Sequence, residues 1–191
     1  MLSMVTLIFS ILLSLIVQMT PEDPIVNFAV KNCKYVSEKR QSEAHEVATI
    51  LYSVERQYAV PEKLKGMILA AACMESGFKP NAKGDRKFSK NKRTPKAIGV
   101  LQLWPYYEKT YETVRTDPRS SGEAWMKHIV RMIPKVTKQC RYKTPEKIWI
   151  AAWVTGIRYK KPGGRCREAP KHLRLLRKWQ RLIAKRLHAA Q

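Results

Sequence analysis

The chain has 191 residues, of which 45% are apolar, a composition that places it among globular proteins with room for one domain. Lysine and arginine number 37 against 15 acidic residues, a formal charge of +22 that solubility alone does not require. Such an excess points to a polyanionic partner: nucleic acid, an anionic membrane surface or an acidic envelope polymer. The four cysteines form no C-x-x-C pair and have no histidine at metal spacing, which argues against a zinc site; no metal and no cofactor are expected.

Residues 1–20, MLSMVTLIFSILLSLIVQMT, carry no charged side chain and read as an export signal or signal anchor. They lack a basic leading region and a small-x-small cleavage site, which tilts the reading toward an anchor. Inserted with its short N-terminus inside, the segment would leave the basic body facing outward, in the periplasm or outside the cell. Nucleic acid is then disfavoured as partner, and a monomer is expected. Residues 21–41 show no clear period and are read as a tether.

From Ser42 the apolar residues Ala44, Val47, Leu51, Val54 and Tyr58 recur at helical spacing, with Ser42 available as N-cap. Pro61 is expected to open the next helix at its first position, and Gly77 to stop it. Within that helix Leu64, Ile68, Ala71 and Glu75 fall on one stripe, which puts a carboxylate on an apolar face; the alternative is that, standing in the last turn, it swings out to solvent. Residues 80–96, basic and bracketed by prolines, read as a loop or small hairpin. The following AIGVLQLWPYYEKTYETV, broken by Gly99 and Pro105, reads as extended or irregular. A helix from Glu123 to Ile133 is expected to end at Pro134. Another starts with Thr144 as cap and Pro145 at its first position and runs to Gly156. A last amphipathic helix carries Leu173, Leu176, Trp179, Ile183 and Leu187 on one stripe amid basic residues. An even cysteine count in an exported chain permits two disulfides; Cys140 with Cys166 is the preferred pair, and Cys73 reads equally as a buried free thiol.

MESGFKPNA and, after a loop, AIGVLQLWP resemble the signature of lytic transglycosylases and goose-type lysozymes. Glu75, Ser76, Gly77, Phe78, Pro80, Asn81, Ala82, Gly99, Gln102, Leu103 and Pro105 fit that pattern in order. A third family element, A-Y-N-A-G, meets AAWVTG at 151–156, with Trp153 at the tyrosine position and Val154 at the asparagine position. The loop between Glu75 and Gln102 is longer than the family's and carries a basic insertion at Arg86 to Arg93.

The resemblance implies a mainly α, lysozyme-like domain over residues 42–164, followed by a basic C-terminal helix at 165–191 packed on the domain or extending it. It implies a peptidoglycan-cleaving lytic transglycosylase or muramidase, such as a phage-type endolysin, acting on the β-1,4 bond between N-acetylmuramic acid and N-acetylglucosamine. Glu75 would be the general acid and base. An apolar setting would keep its proton, as protonation of a poor leaving oxygen demands. In the transglycosylases the substrate's N-acetyl group assists, so no second carboxylate is needed; Asp85 is the sole acidic residue between Glu75 and Gln102. Ser76, Gly99, Val100, Gln102, Tyr107 and Trp153 are the candidate substrate contacts. Gly99 and Val100 would act through backbone groups, Gln102 through its amide, and the aromatic residues, with Trp104 and Tyr106, by stacking on sugar faces. The competing expectation is a catalytically inactive basic module of the same architecture that binds cell wall, anionic membrane or nucleic acid.

Overall fold

Asp23 Oδ1 accepts the N–H of Ile25 at 2.9 Å and so starts helix α1, Pro24–Lys31, with proline at the first turn. Val26, Phe28, Ala29 and Val30 of this helix are buried. The stretch read as a tether is therefore part of the core. The helix has only 8 residues, about two turns, too few for its period to stand out in the sequence. The computed structural model describes residues 23–85, 96–104, 112–140 and 144–155, with 174, 176–179 and 181. The expected signal or anchor at 1–20, the basic insertion at Arg86 to Arg93, and Tyr106 and Tyr107 lie outside the described residues.

The described residues are mainly helical. A 3-10 turn at Glu38–Arg40 leads into α2, Gln41–Glu55. Ser42 lies inside α2 and is not its cap: Arg40 precedes the helix, and no side chain caps it. The helix expected from Pro61 is split into a 3-10 turn, Glu62–Leu64, and, after a reversal at Gly66, the helix α3, Met67–Ser76. All seven residues from Met67 to Cys73 are buried, so α3 is the central helix and has no polar face over that length. Helix α1 packs on α2 and α3, and α2 on α3.

The short strands β1, Lys83–Gly84, and β2, Ala97–Ile98, pair antiparallel with Lys83 opposite Ile98 and Gly84 opposite Ala97; of the loop or small hairpin expected over 80–96, a hairpin forms, with its second strand just beyond that stretch. Helix α4, Glu112–Thr116, touches β2 and packs on α5, Pro118–Cys140. Helix α5 runs past Pro134, where a stop was expected. The missing N–H at Pro134 leaves the carbonyl one turn earlier, at Val130, without its helical partner. Both residues are exposed, so water can serve that carbonyl, while Met132 and Val136 on the other side keep the helix in the core. Helix α6, Pro145–Thr155, has the expected start and packs along α5, with Trp125 and Trp153 edge to face at 5.5 Å between ring centroids. In the C-terminal segment residues 176–179 are helical, Leu176 and Trp179 are buried, and the Trp179 ring meets Phe28 of α1 edge to face.

Cys33 and Cys73 form a disulfide that ties the end of α1 to α3, so Cys73 is not a free thiol. Cys140 is also disulfide-bonded; Cys166 lies outside the described residues.

Candidate active site

Helix α3 ends where Gly77 takes a left-handed conformation, φ 61°, and Phe78 follows in the same region at φ 61°. A side chain at position 77 would begin 2.8 Å from both Cβ and the carbonyl oxygen of Tyr35, so close approach as well as dihedral angle demands glycine there. Phe78 is thereby turned inward and fully buried. The carbonyl of Gly77 accepts from Arg40 Nη1 at 3.2 Å. Both connections fix where the last turn of α3 emerges from the core.

Glu75 stands in that last turn and is exposed. The expectation of an apolar face is corrected here. The apolar positions surround α3 entirely up to Cys73, and the carboxylate comes just after the helix leaves the core. Ser76, its neighbour, is half-buried. Its Oγ donates to the Val100 carbonyl at 2.8 Å and to the Ala72 carbonyl at 3.2 Å, and accepts from the N–H of Lys79 at 3.1 Å. One hydroxyl thus joins the glutamate's helix to the Gly99–Gln102 turn.

That turn is closed by Ile98 and Leu103, which exchange backbone bonds of 3.1 and 3.0 Å. Gly99, at φ 86°, donates its N–H to the Ala82 carbonyl at 2.9 Å. A Cβ at Gly99 would fall 1.7 Å from the carbonyl oxygen of Arg115 in α4. Gly99 and Val100 are both buried, and their backbone groups serve the turn and Ser76 rather than an open cleft. Gln102, itself left-handed at φ 49°, donates Nε2 to the Gly99 carbonyl at 2.9 Å and to the Ala82 carbonyl at 3.1 Å. Its amide N–H groups brace the turn against the segment after Phe78.

The structure therefore brings together Ser76, Gly99, Val100 and Gln102 through backbone and side-chain hydrogen bonds, with Ser76 as the joint and Glu75 beside it in the chain. Trp153 is half-buried against Trp125 on the α5–α6 interface. On the loop side of the hairpin, just after β1, Trp104 Nε1 donates to Asp85 Oδ2 at 2.9 Å, and Asp85 is left-handed at φ 54°. Among the described residues no group of three or more His, Cys, Asp or Glu side chains is placed to hold a metal ion.

Two residues essential to this arrangement escape a reading of motifs. Arg115 is buried and donates Nη1 to the carbonyls of Leu103 at 3.3 Å and Lys96 at 3.4 Å, holding both ends of the β2 turn. Nothing in its local sequence marks it. Glu55 is 2% exposed; its two carboxylate oxygens accept the N–H groups of Gly66 at 2.6 Å and Ile68 at 2.8 Å, at the start of α3. It did carry a signal: it follows Leu51 by one helical turn and so lies near the same apolar stripe. Burial pushes its carboxyl up to about 7, against the opposing pull of the backbone N–H groups and of Lys65.

No protein-family model, no curated protein and no solved structure matches the chain.

Proposed function

We propose that the chain is a peptidoglycan-cleaving glycosidase of the lytic transglycosylase or muramidase type, with Glu75 as general acid and base at the β-1,4 bond between N-acetylmuramic acid and N-acetylglucosamine. The observation that carries this reading is the bond from Ser76 Oγ to the Val100 carbonyl. It ties the E-S helix end to the G-V-L-Q turn, distant in sequence, directly beside the exposed Glu75. Glu75 is exposed in the free chain, so under this reading the water-poor setting that an acid catalyst needs comes from the bound glycan. The ionised carboxylate then takes a proton either from the sugar's 6-hydroxyl, closing a 1,6-anhydro ring, or from water.

The Cys33–Cys73 disulfide supports an oxidising, exported location, and the +22 charge supports retention on an anionic envelope. A second reading, a basic lysozyme-like module without turnover, draws on the internal engagement of the Gln102 amide and on Val154 at the family's asparagine position.

The test is mass spectrometry of soluble fragments after purified peptidoglycan is incubated with the full chain and with Glu75→Gln. Anhydro-ended fragments from the parent alone make it a transglycosylase, and reducing ends alone a muramidase. Fragments from both proteins remove Glu75 from the chemistry. Wall binding with no fragments from either favours the binding module.

A further inference from the structure

The geometry points to Glu55 as the positioning residue for Glu75: its buried carboxylate grips the N-terminus of α3, at whose far end Glu75 stands, and protonation of that carboxylate loosens the grip.

Helix α3 has no cap of its own, and its first N–H groups have no partners within the helix. Glu55 reaches across from α2 to supply them, one oxygen to Gly66 and the other to Ile68. A carboxylate at this end also meets the positive pole of the helix dipole. Ten residues of α3 span roughly 15 Å, packed on all sides through Cys73, so the helix transmits a shift at one end to the other. A serine or aspartate just before the helix would cap it with far less burial of charge. The ionised form accepts at both oxygens. The neutral acid must commit one oxygen to its own O–H, and one of the two amide bonds weakens.

Among the described residues few charged groups act on Glu55. Lys65, in the turn before α3, favours its ionised form and is itself paired with Glu62. From its own helix Tyr52 feels the Glu55 charge, together with Asp23 at the start of α1, Arg56 and Glu62. Glu123 and Lys127 of α5 act on Tyr58, past the end of α2. A midpoint of about 7 makes the grip sensitive to pH near neutrality.

The reach to catalysis rests on the proposed role of Glu75, whereas the link along α3 can be tested without it. The experiment is a pH titration of the full chain in detergent micelles by NMR, in the Glu75→Gln background so that Glu75 itself does not titrate. It follows the Glu55 side-chain carbon and the amides of Gly66, Ile68, Ser76 and Gly77 from pH 4 to pH 9. All five signals should share one midpoint within about a unit of 7, and the four amide titrations should vanish in Glu55→Gln. Titration of Gly66 and Ile68 with flat Ser76 and Gly77 would reduce Glu55 to a local cap, and a Glu55 midpoint at its ordinary value would also overturn the inference. If Glu55→Gln fails to fold, the shared midpoint in the parent decides alone. On peptidoglycan, Glu55→Gln should lower kcat about tenfold with KM nearly unchanged and displace the acid limb of the kcat profile. An unchanged profile counts against the inference. A parent without turnover sinks the glycosidase reading and leaves the NMR result standing.

Discussion

The indole N–H of Trp104 donates to the Asp85 carboxylate at 2.9 Å, tying the loop side of the β1–β2 hairpin, just after β1, to the segment that follows β2. Trp104→Phe keeps the ring and deletes the bond. Its expected cost is about 1 kcal/mol, below the range for fully buried bonds to charged groups because both residues are half-exposed. Under the transglycosylase reading Asp85→Asn lowers muropeptide release by a similar, few-fold factor. A loss of a thousandfold or more in Asp85→Asn alone would move Asp85 into the chemistry as a second carboxylate.

Ser76→Ala removes the joint between α3 and the Gly99–Gln102 turn. The buried Val100 carbonyl loses a donor, and urea unfolding should show about 1–2 kcal/mol of lost stability. Under the glycosidase reading, muropeptide release should fall about tenfold as Glu75 and the turn lose their fixed relation. Lost stability with full activity would make the bond structural only.

Gly99→Ala asks the chain for a left-handed alanine and places its Cβ against the Arg115 carbonyl. A penalty above about 2 kcal/mol is expected in urea unfolding. A variant of parental stability would show that α4 can retreat from the turn at no cost.

Breaking the Cys33–Cys73 bond, in Cys33→Ser/Cys73→Ser, frees a loop of 40 residues, for which chain entropy gives about 4 kcal/mol. Urea unfolding of parent and variant measures it. A loss below about 1 kcal/mol would mean that the packing of α1 on α3 already holds these segments together.

The pH dependence of stability follows from Glu55. Its folded-state value, about 7, lies above the ordinary 4.5, so the folded chain prefers the protonated form. The stabilising contribution of that form is complete below about pH 4.5 and is lost as pH rises to 7, with a span of about 3 kcal/mol. Unfolding free energy of the parent minus that of Glu55→Gln should fall across this window and level off above it. A difference that is constant with pH would place the folded and unfolded values together.

Where local rules act alone, the sequence was legible. Gly77 ends α3 and Thr144–Pro145 starts α6 because a left-handed glycine and a proline in the first turn are properties of one or two residues. Pro134 misleads for a related reason. The proline rule concerns one N–H and one carbonyl, and both fall on the solvent side of α5, where their loss is mild. The exposure of Glu75 was legible from its place in the last turn but not from the stripe, because a 3.6-residue stripe separates an inner face from an outer one only in a helix that has an outer face, and α3 up to Cys73 has none. The structural tasks of Gly99 and Gln102 were not legible. Those tasks depend on Arg115 and Ala82, partners that only the tertiary fold brings near.

The edge-to-face contact of Phe28 with Trp179 joins the first described helix to nearly the last described residues. During synthesis α1 emerges early but meets Trp179 only when the C-terminal segment follows, so this part of the core closes late in a chain made from its N-terminus. Contacts of such long sequence separation slow folding, because chain entropy is lost before they form. Shortening the chain before Trp179 would leave the α1 face open in the finished molecule. The basic C-terminal segment is thus a clasp on the core as well as a bearer of charge.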